Sequence, residues 1–425
     1  MLGCPLPVSE TAIAYPATDR FGGQNREPCS GQNPQVAPQR TVAVVDISHR
    51  WIPELVRRWL LAADPVERFC AWLAVVVCFV AVLFGSSPVH SLDPLYTDHL
   101  HHAYAAWALL NIGPEIFTTP IADWEFGALR PFVNSAFLPY LYPFGSLVLF
   151  LPFGVVTNLG LLPASVVNLA MVLFFGLGGV GATWLLARTL REISHPFLVG
   201  SVLPVAAPLY VFWGLNGFFD TVAAAVALYG VLAYRRRQDA AAMLALVGTI
   251  SLHYRLWYLG PLAVVAFVRY VRSRNWVVDW RLGLVAALGG GTVVSFVLSI
   301  PGFARLSETA QFNPSPVAVT TGLTPTVVVA LACGLLVLAV VHRYESEPAT
   351  LATVTLAIAS VFALTQWSPW YPILLTPVLG LAEQRRSRIV LMAGFHGLTV
   401  LLGYVVANHP LLRFVSSFEF GIGKR

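Results

Sequence analysis

Phe69-Cys-Ala-Trp-Leu-Ala-Val-Val-Val-Cys-Phe-Val-Ala-Val-Leu-Phe-Gly-Ser-Ser87 carries no charge and no proline. Roughly 18–20 apolar residues are what a helix needs to cross about 30 Å of hydrocarbon. Lipid offers the backbone no partners, so a segment there must close its hydrogen bonds internally as a helix or belong to a closed barrel. A barrel strand would alternate over about ten residues. This run is unbroken, so it is helix.

The same reading extends along the chain. Hydrophobic residues make up 57% of the 425 positions and charged residues only 11%. A water-soluble chain of this length needs more charge to cover its surface. Further apolar runs fall near 165–187, 197–214, 219–234, 240–254, 255–270, 282–300, 325–342, 349–365, 370–384 and 389–407. Segment 137–156 is also apolar, but its prolines and glycines make a poor continuous helix. It is expected to be re-entrant or juxtamembrane, giving about 11 spans, within roughly 10–13.

The net charge of +5 comes almost entirely from arginine, the only lysine being Lys424. The arginines cluster at the ends of the apolar runs: Arg57/Arg58/Arg68, Arg188/Arg191, Arg235–Arg237, Arg269/Arg272/Arg274, Arg343 and Arg385/Arg386/Arg388. This is the positive-inside pattern of a multi-pass cell-membrane protein and excludes a nucleic-acid partner as its reason. Of the five cysteines, Cys70, Cys78 and Cys333 lie in apolar runs, where a thiol acts as a small hydrophobe; a Cys4–Cys29 pair stays open. Residues 1–50 have the composition of a disordered cytoplasmic tail. Residues 51–67 interleave Trp and Leu with Arg as an amphipathic lead-in. A transmembrane domain is expected over 68–407, with an outer loop and juxtamembrane segment at 88–164 and a tail at 408–425.

With the arginines inside, the informative polar residues converge on the outer face. Asp98 opens a helical stretch that Gly113-Pro114 ends, with His101 and His102 on its own face. It is either an N-cap or a general base, since desolvation at a membrane boundary tunes a carboxylate upward. No well-spaced further ligand accompanies the histidines, so no metal is expected, although a divalent cation is left open. Asp220 opens a span at Asn216-Gly-Phe-Phe-Asp220 and is either a cap or the lining of a polar cavity. A buried acid costs roughly 2.5–3.5 kcal/mol at the bilayer centre. His253-Tyr-Arg255 forms an outer hairpin whose arginine either snorkels or grips a phosphate. Trp370 and Tyr371 belong to an aromatic outer turn, either an interfacial belt or a stacking surface for sugar. Arg305 lies in a long outer loop expected at 301–324.

These motifs, in order, resemble those of the GT-C superfamily of glycosyltransferases. The branch in question contains the catalytic mannosyltransferase subunit of GPI-anchor synthesis and related bacterial and archaeal enzymes. The resemblance rests on Asp98 followed by Tyr104 and the Gly113-Pro114 break, on Tyr142-Pro-Phe-Gly145, and on Asn216-Gly-Phe-Phe-Asp220. It continues with His253-Tyr-Arg255 followed by Pro261 and with Ser368-Pro-Trp-Tyr371. Arg255 stands where the family usually has lysine, and the first loop has no Asp-x-Asp pair.

The resemblance implies an all-α, GT-C-like polytopic membrane protein with a large first extracytoplasmic loop holding juxtamembrane helices. It also implies transfer of a sugar, mannose by family expectation, from a polyprenyl- or dolichyl-phosphate donor, with inversion. The acceptor would be an extracytoplasmic glycan, glycolipid or glycoprotein. Asp98 would be the general base, Arg255 with His253 would steady the leaving phosphate, and Asp220 and Asn216 would orient sugar hydroxyls. Arg305, His101, His102, Trp370 and Tyr371 would complete the substrate contacts, with membrane lipids around them and no organic cofactor. The competing readings are a transporter or flippase of a lipid-linked saccharide, and a noncatalytic membrane assembly subunit. A transporter would place ionisable groups near the midplane in related repeats; this chain gathers its acids at one face.

Overall fold

The computed structural model describes residues 64–84, 98–124, 126–133, 138–192, 196–309, 348–363 and 372–381. At 84, 98, 122, 196–205, 304–309, 358–363 and 372 the description covers the backbone alone. The described residues are 84% helix and contain no strand. The helices are α1 (Pro65–Phe84), α2 (Asp98–Ile112), α3 (Phe144–Asn158), α4 (Ala164–Glu192), α5 (Pro196–Leu215), α6 (Asp220–Arg235), α7 (Asp239–Leu252), α8 (Gly260–Ser273), α9 (Trp280–Thr309), α10 (Pro348–Ala363) and the single turn α11 (Pro372–Leu375). Short 3₁₀ segments occupy Gly113–Phe117, Ile121–Asp123, Arg130–Phe132, Tyr254–Leu259 and Thr376–Leu381. Of the amphipathic lead-in expected at 51–67, residues 51–63 lie outside the described residues and α1 already begins at Pro65; both tails and the spans expected at 325–342 and 389–407 also lie outside them.

Among the described residues, three helices are long and apolar enough to cross a membrane: Pro65–Leu83, Ala164–Glu192 and Trp280–Phe303. α1 turns Phe69, Trp72, Val75, Val76, Phe79, Val82 and Leu83 outward, and only a narrow face through Cys70, Val77 and Ala81 is buried.

α4 is the hub, packing on α1, α5 and α6. Its glycines set how close those neighbours come. A Cβ on Gly176 would run into Val77 of α1, one on Gly178 into Val222 of α6, and one on Gly179 into the Tyr210 backbone of α5. Gly214 of α5 answers against the Phe175 carbonyl. Small residues at reciprocal positions let backbones approach, which is how helices associate when the hydrophobic effect between them is weak. α6 packs in turn on α7, and α7 on α8 and α9.

Three expectations need correction. Residues 144–158 form one continuous helix across Pro152, where the prolines and glycines of a re-entrant or juxtamembrane segment were expected to make a poor one. Pro143 lies just before the first turn, so only Pro152 interrupts the ladder. Gly154 compensates by lying against the Ala103 carbonyl, docking α3 tightly on α2. At 15 residues the helix is about 22 Å long, short of a full crossing. The outer loop expected at 301–324 begins instead as helix, because α9 continues through Pro301 to Thr309. Lastly, within the span expected at 370–384, the described residues 372–381 form one α-turn followed by a buried 3₁₀ stretch. Pro377 has no N–H to give, and the turn tightens there.

Candidate active site

The break at Gly113-Pro114 and the start at Asp98 bound α2 as the sequence predicts, with Gly113 at φ +63°. The first turn of α2 carries His99, His101 and His102, all buried. His99 hydrogen-bonds through Nε2 to Asn168 Oδ1 of α4, and its ring edge meets Phe175 at 6.2 Å. Gly217, at φ +86°, lies directly on the His99 ring, where no Cβ fits.

His102 anchors a second chain of contacts. Its Nδ1 is 3.0 Å from Tyr140 Oη, which is 2.8 Å from Ser146 Oγ. Ser146 donates to the Pro143 carbonyl at 2.5 Å. With the serine proton spent there, Tyr140 donates to Ser146 and accepts from His102 Nδ1–H. The His102 ring stacks on Phe150 at 4.9 Å and meets Tyr142 and Phe219 edge-on at 4.5 and 4.7 Å. Burial, reinforced by the fields of His101, His99 and His253, holds the His102 pKa well below the ordinary histidine value. It is a neutral imidazole.

Asp220 is the first residue of α6, and α6 is pinned there by Thr221 Oγ1 donating to the Phe175 carbonyl at 2.9 Å. The Asp220 and His253 side chains are 5% and 6% exposed, with Oδ1 of one 3.4 Å from Nε2 of the other. His253 ends α7 in an extended conformation (φ −149°, ψ 120°), and its Nδ1 accepts the Arg255 N–H at 3.2 Å. That contact puts the histidine proton on Nε2, facing Asp220. The separation is within ion-pair range, but the geometry makes no hydrogen bond, and Oδ1 has no hydrogen-bond partner among the described residues. A buried acceptor left unused costs about 1–3 kcal/mol.

Aromatic rings join the two halves. Tyr142 stands edge-on to His102 and, at 5.6 Å, to His253, while Phe219 touches His102, Tyr142 and His253. Gly145 lies against the Ser251 backbone, so the Tyr142–Gly145 motif abuts the His253 hairpin. Ser295 of α9 ties both down: its Oγ accepts the Phe144 N–H at 3.1 Å and lies 3.0 Å from Tyr254 Oη.

Of the expected site residues, Asp220 and His253 therefore meet directly, and Tyr142 and Phe219 link that pair to His102, with the His101 ring 5.6 Å from that of His102. Asp220 is not the cap: Phe219 holds that position and Asp220 is the first helical residue of α6. Asn216 does not join them; its amide donates to the Phe212 carbonyl at the end of its own helix. Arg255 sits half-buried in the Tyr254–Leu259 turn. Asp98 heads α2 and Arg305 lies within α9, with their side chains outside the description, and Trp370 and Tyr371 lie outside the described residues. Tyr104 is structural: its hydroxyl is held between the Trp124 and Phe126 carbonyls at 2.9 and 2.8 Å, and burial pushes its pKa up to about 12.

The sequence gives no site role to Tyr140, Ser146 or Asn168, and it offers His99 only as one of the outer-face polar residues and Tyr142 and Phe219 only within the quoted motifs. Of the first three, Asn168 alone leaves a signal, as a lone amide in an apolar run. Among the described residues no group of three or more His, Cys, Asp or Glu could hold a metal ion. Compared with protein-family models, curated proteins and solved structures, the chain matches none.

Proposed function

We propose that the chain is a multi-pass membrane glycosyltransferase of the GT-C type, moving a sugar from a polyprenyl-phosphate donor to an acceptor hydroxyl on the extracytoplasmic face. The supporting observation is the buried Asp220 carboxylate, with one oxygen lacking a hydrogen-bond partner among the described residues, set beside His253, which Tyr142 links to His102 on the helix that Asp98 opens. A carboxylate and histidines walled by aromatic rings can hydrogen-bond sugar hydroxyls while stacking on a sugar face.

The direction of the helices supports an outer site. α4, α6 and α8 each begin near this cluster and end in arginines: Arg188 and Arg191, Arg235, Arg269 and Arg272. α6 has 16 residues, so its Asp220 and Arg235 ends are about 24 Å apart. By the positive-inside tendency, the arginine ends are cytoplasmic. The outward apolar face of α1 suits a lipid surrounding, because a soluble monomer rarely exposes so many large apolar side chains together.

In the proposed reaction Asp98 takes the proton of the acceptor hydroxyl as its oxygen attacks the anomeric carbon. The bond from that carbon to the donor phosphate oxygen breaks, and the polyprenyl phosphate leaves with the electron pair. The configuration inverts. The phosphate is already a fair leaving group, so no second carboxylic acid is required, unlike a glycosidase. Arg255 would steady the departing charge, and Asp220 would accept from a sugar hydroxyl.

The test is transfer of label from polyprenyl-phosphate-mannose in membranes carrying the full chain. Asp98→Asn should lower the rate by roughly 10²-fold or more. Asp220→Asn should mainly raise KM for the donor. Undiminished transfer by Asp98→Asn removes Asp98 as the base, and absence of transfer from any polyprenyl-phosphate sugar by the parent chain sinks the activity itself.

A further inference from the structure

We infer that the turn joining α8 to α9 is a binding site for an anionic phospholipid headgroup. Residues 272–278 are all exposed, and among them and their neighbour lie four large apolar side chains: Trp276 is 73% exposed, Val277 64%, Val278 79% and Trp280 68%. Asn275 and Trp276 stand consecutively in the left-handed region, at φ 49° and 64°. Two adjacent non-glycine residues there are unusual, and this backbone holds Trp276 off the body of the protein.

The charge on this turn has one sign toward the outside. Its only acid, Asp279, is consumed internally: it accepts from the Tyr270 hydroxyl and from the N–H groups of Arg281 and Leu282, capping α9. Arg281 lies over the Trp280 ring at 5.3 Å and reaches Tyr270 Oη at 3.3 Å. Arg274 rests 5.9 Å over the Tyr270 ring and stays exposed. Arg272 is exposed and has no ion-pair partner among the described residues. Two outward guanidinium groups thus flank exposed indole and valine side chains.

That pairing selects the ligand. A guanidinium fork fits a phosphate diester, and Trp at headgroup depth with valine below it fits the acyl boundary. Free phosphate would use the arginines and leave the apolar side chains in water. The depth also agrees, because Trp280 opens a helix long and apolar enough to cross a membrane. Leu284, Val293, Val294, Phe296, Val297 and Ile300 continue its exposed apolar side beyond the turn. The arginine ends of the helices are the proposed cytoplasmic side, where anionic lipid concentrates.

This inference rests on the membrane reading and not on the transferase reading. The full chain, reconstituted in bilayers mixing phosphatidylglycerol with phosphatidylcholine, is examined by native mass spectrometry for retained lipid. The parent should retain phosphatidylglycerol preferentially, and Arg272→Gln with Arg274→Gln should cut the preference about ten-fold or more, since each arginine near a charged surface contributes about five-fold. Arg191→Gln, which removes an arginine already paired with Asp64, should change it less than two-fold. Brominated phosphatidylglycerol should quench the Trp276 contribution, read as the difference between the parent and Trp276→Phe, more than brominated phosphatidylcholine does. That second readout decides the matter where the double variant does not fold.

Equal retention and equal quenching with the two lipids overturn the inference. An Arg191→Gln loss as large as that of the double variant shows diffuse charge and overturns it too. So does a dimer that Trp276→Phe dissociates, which would mean a second copy covers the turn. A chain that alkaline carbonate strips from membranes defeats the membrane reading as well; one that resists carbonate and ignores phosphatidylglycerol defeats this inference alone.

Discussion

His102 shows what a single buried imidazole contributes here. It is neutral because its surroundings are aromatic and the nearby titratable groups are other histidines. Its pKa is depressed in the fold, so between that value and the unfolded one, about 6.5, the unfolded chain binds more protons. The stability from neutral His102 is therefore complete above about pH 6.5 and is lost as pH falls below it. Melting temperature in detergent should drop between pH 7 and pH 5 more steeply for the parent than for His102→Gln; equal slopes would assign the acid sensitivity to other groups.

Two glycines separate backbone strain from steric conflict at the same scale. Gly113 and Gly217 both have positive φ, but space around a Gly113 Cβ is open, while a Gly217 Cβ would strike the His99 ring. Gly113→Ala should cost about 1–2 kcal/mol, the left-handed penalty alone. Gly217→Ala should cost more than that and also disturb the His99–Asn168 bond. Comparable losses for the two in thermal unfolding would show that the His99 ring moves aside freely.

Among the elements, α9 acts as a brace for the site. Its polar side chains are spaced three or four apart: Thr292 meets Ser251, Ser295 meets Phe144 and Tyr254, and Ser299 reaches the Tyr140 carbonyl. Gly291 and Gly302 let the helix close on Phe144 and on the 139–141 turn. Ser295→Ala leaves the Phe144 N–H without its acceptor, at a cost of about 1–3 kcal/mol. Because Ser295 holds the turn bearing Tyr142 and the hairpin bearing His253, the variant should weaken donor binding beyond its effect on stability. An unaltered KM with lowered stability would make the brace purely structural.

Helix extent was partly legible at this scale. The Asp98 start and the Gly113-Pro114 stop of α2 were readable because both are local backbone effects. The helical courses through Pro152 and Pro301 were not, since a proline inside a helix is tolerated only where neighbours hold the flanking turns. The 3₁₀ stretch at Thr376–Leu381 likewise depends on its burial against α6, where Arg235 Nη1 donates to the Gly380 carbonyl at 2.7 Å.

At the level of the whole molecule, the proposed topology puts the histidine–aspartate cluster and the arginine ends on opposite sides of one membrane. A cysteine replacing Tyr142 should react with an impermeant thiol reagent added from outside intact cells and not with reagent confined to the inside. Labelling from inside alone would reverse the orientation and move the site to the cytoplasmic face.

What the sequence determined by itself was whatever depends on local composition: helical structure in the apolar runs, the arginines at their ends, and the start and stop of α2. It also marked Asp220 as an acid that is costly near lipid, and His253, His101 and His102 as candidate substrate contacts. Only the tertiary structure decided that Asp220 meets His253, that Tyr142 and Phe219 link that pair to His102, that Tyr140 and Asn168 hold the histidines of α2, and that Asn216 turns back to its own helix. The reason is physical. Burial, ring contacts and an unused carboxylate oxygen depend on how helices distant in sequence dock, and that docking is set by glycines such as Gly145, Gly154, Gly179 and Gly217, whose partners no single segment of sequence contains.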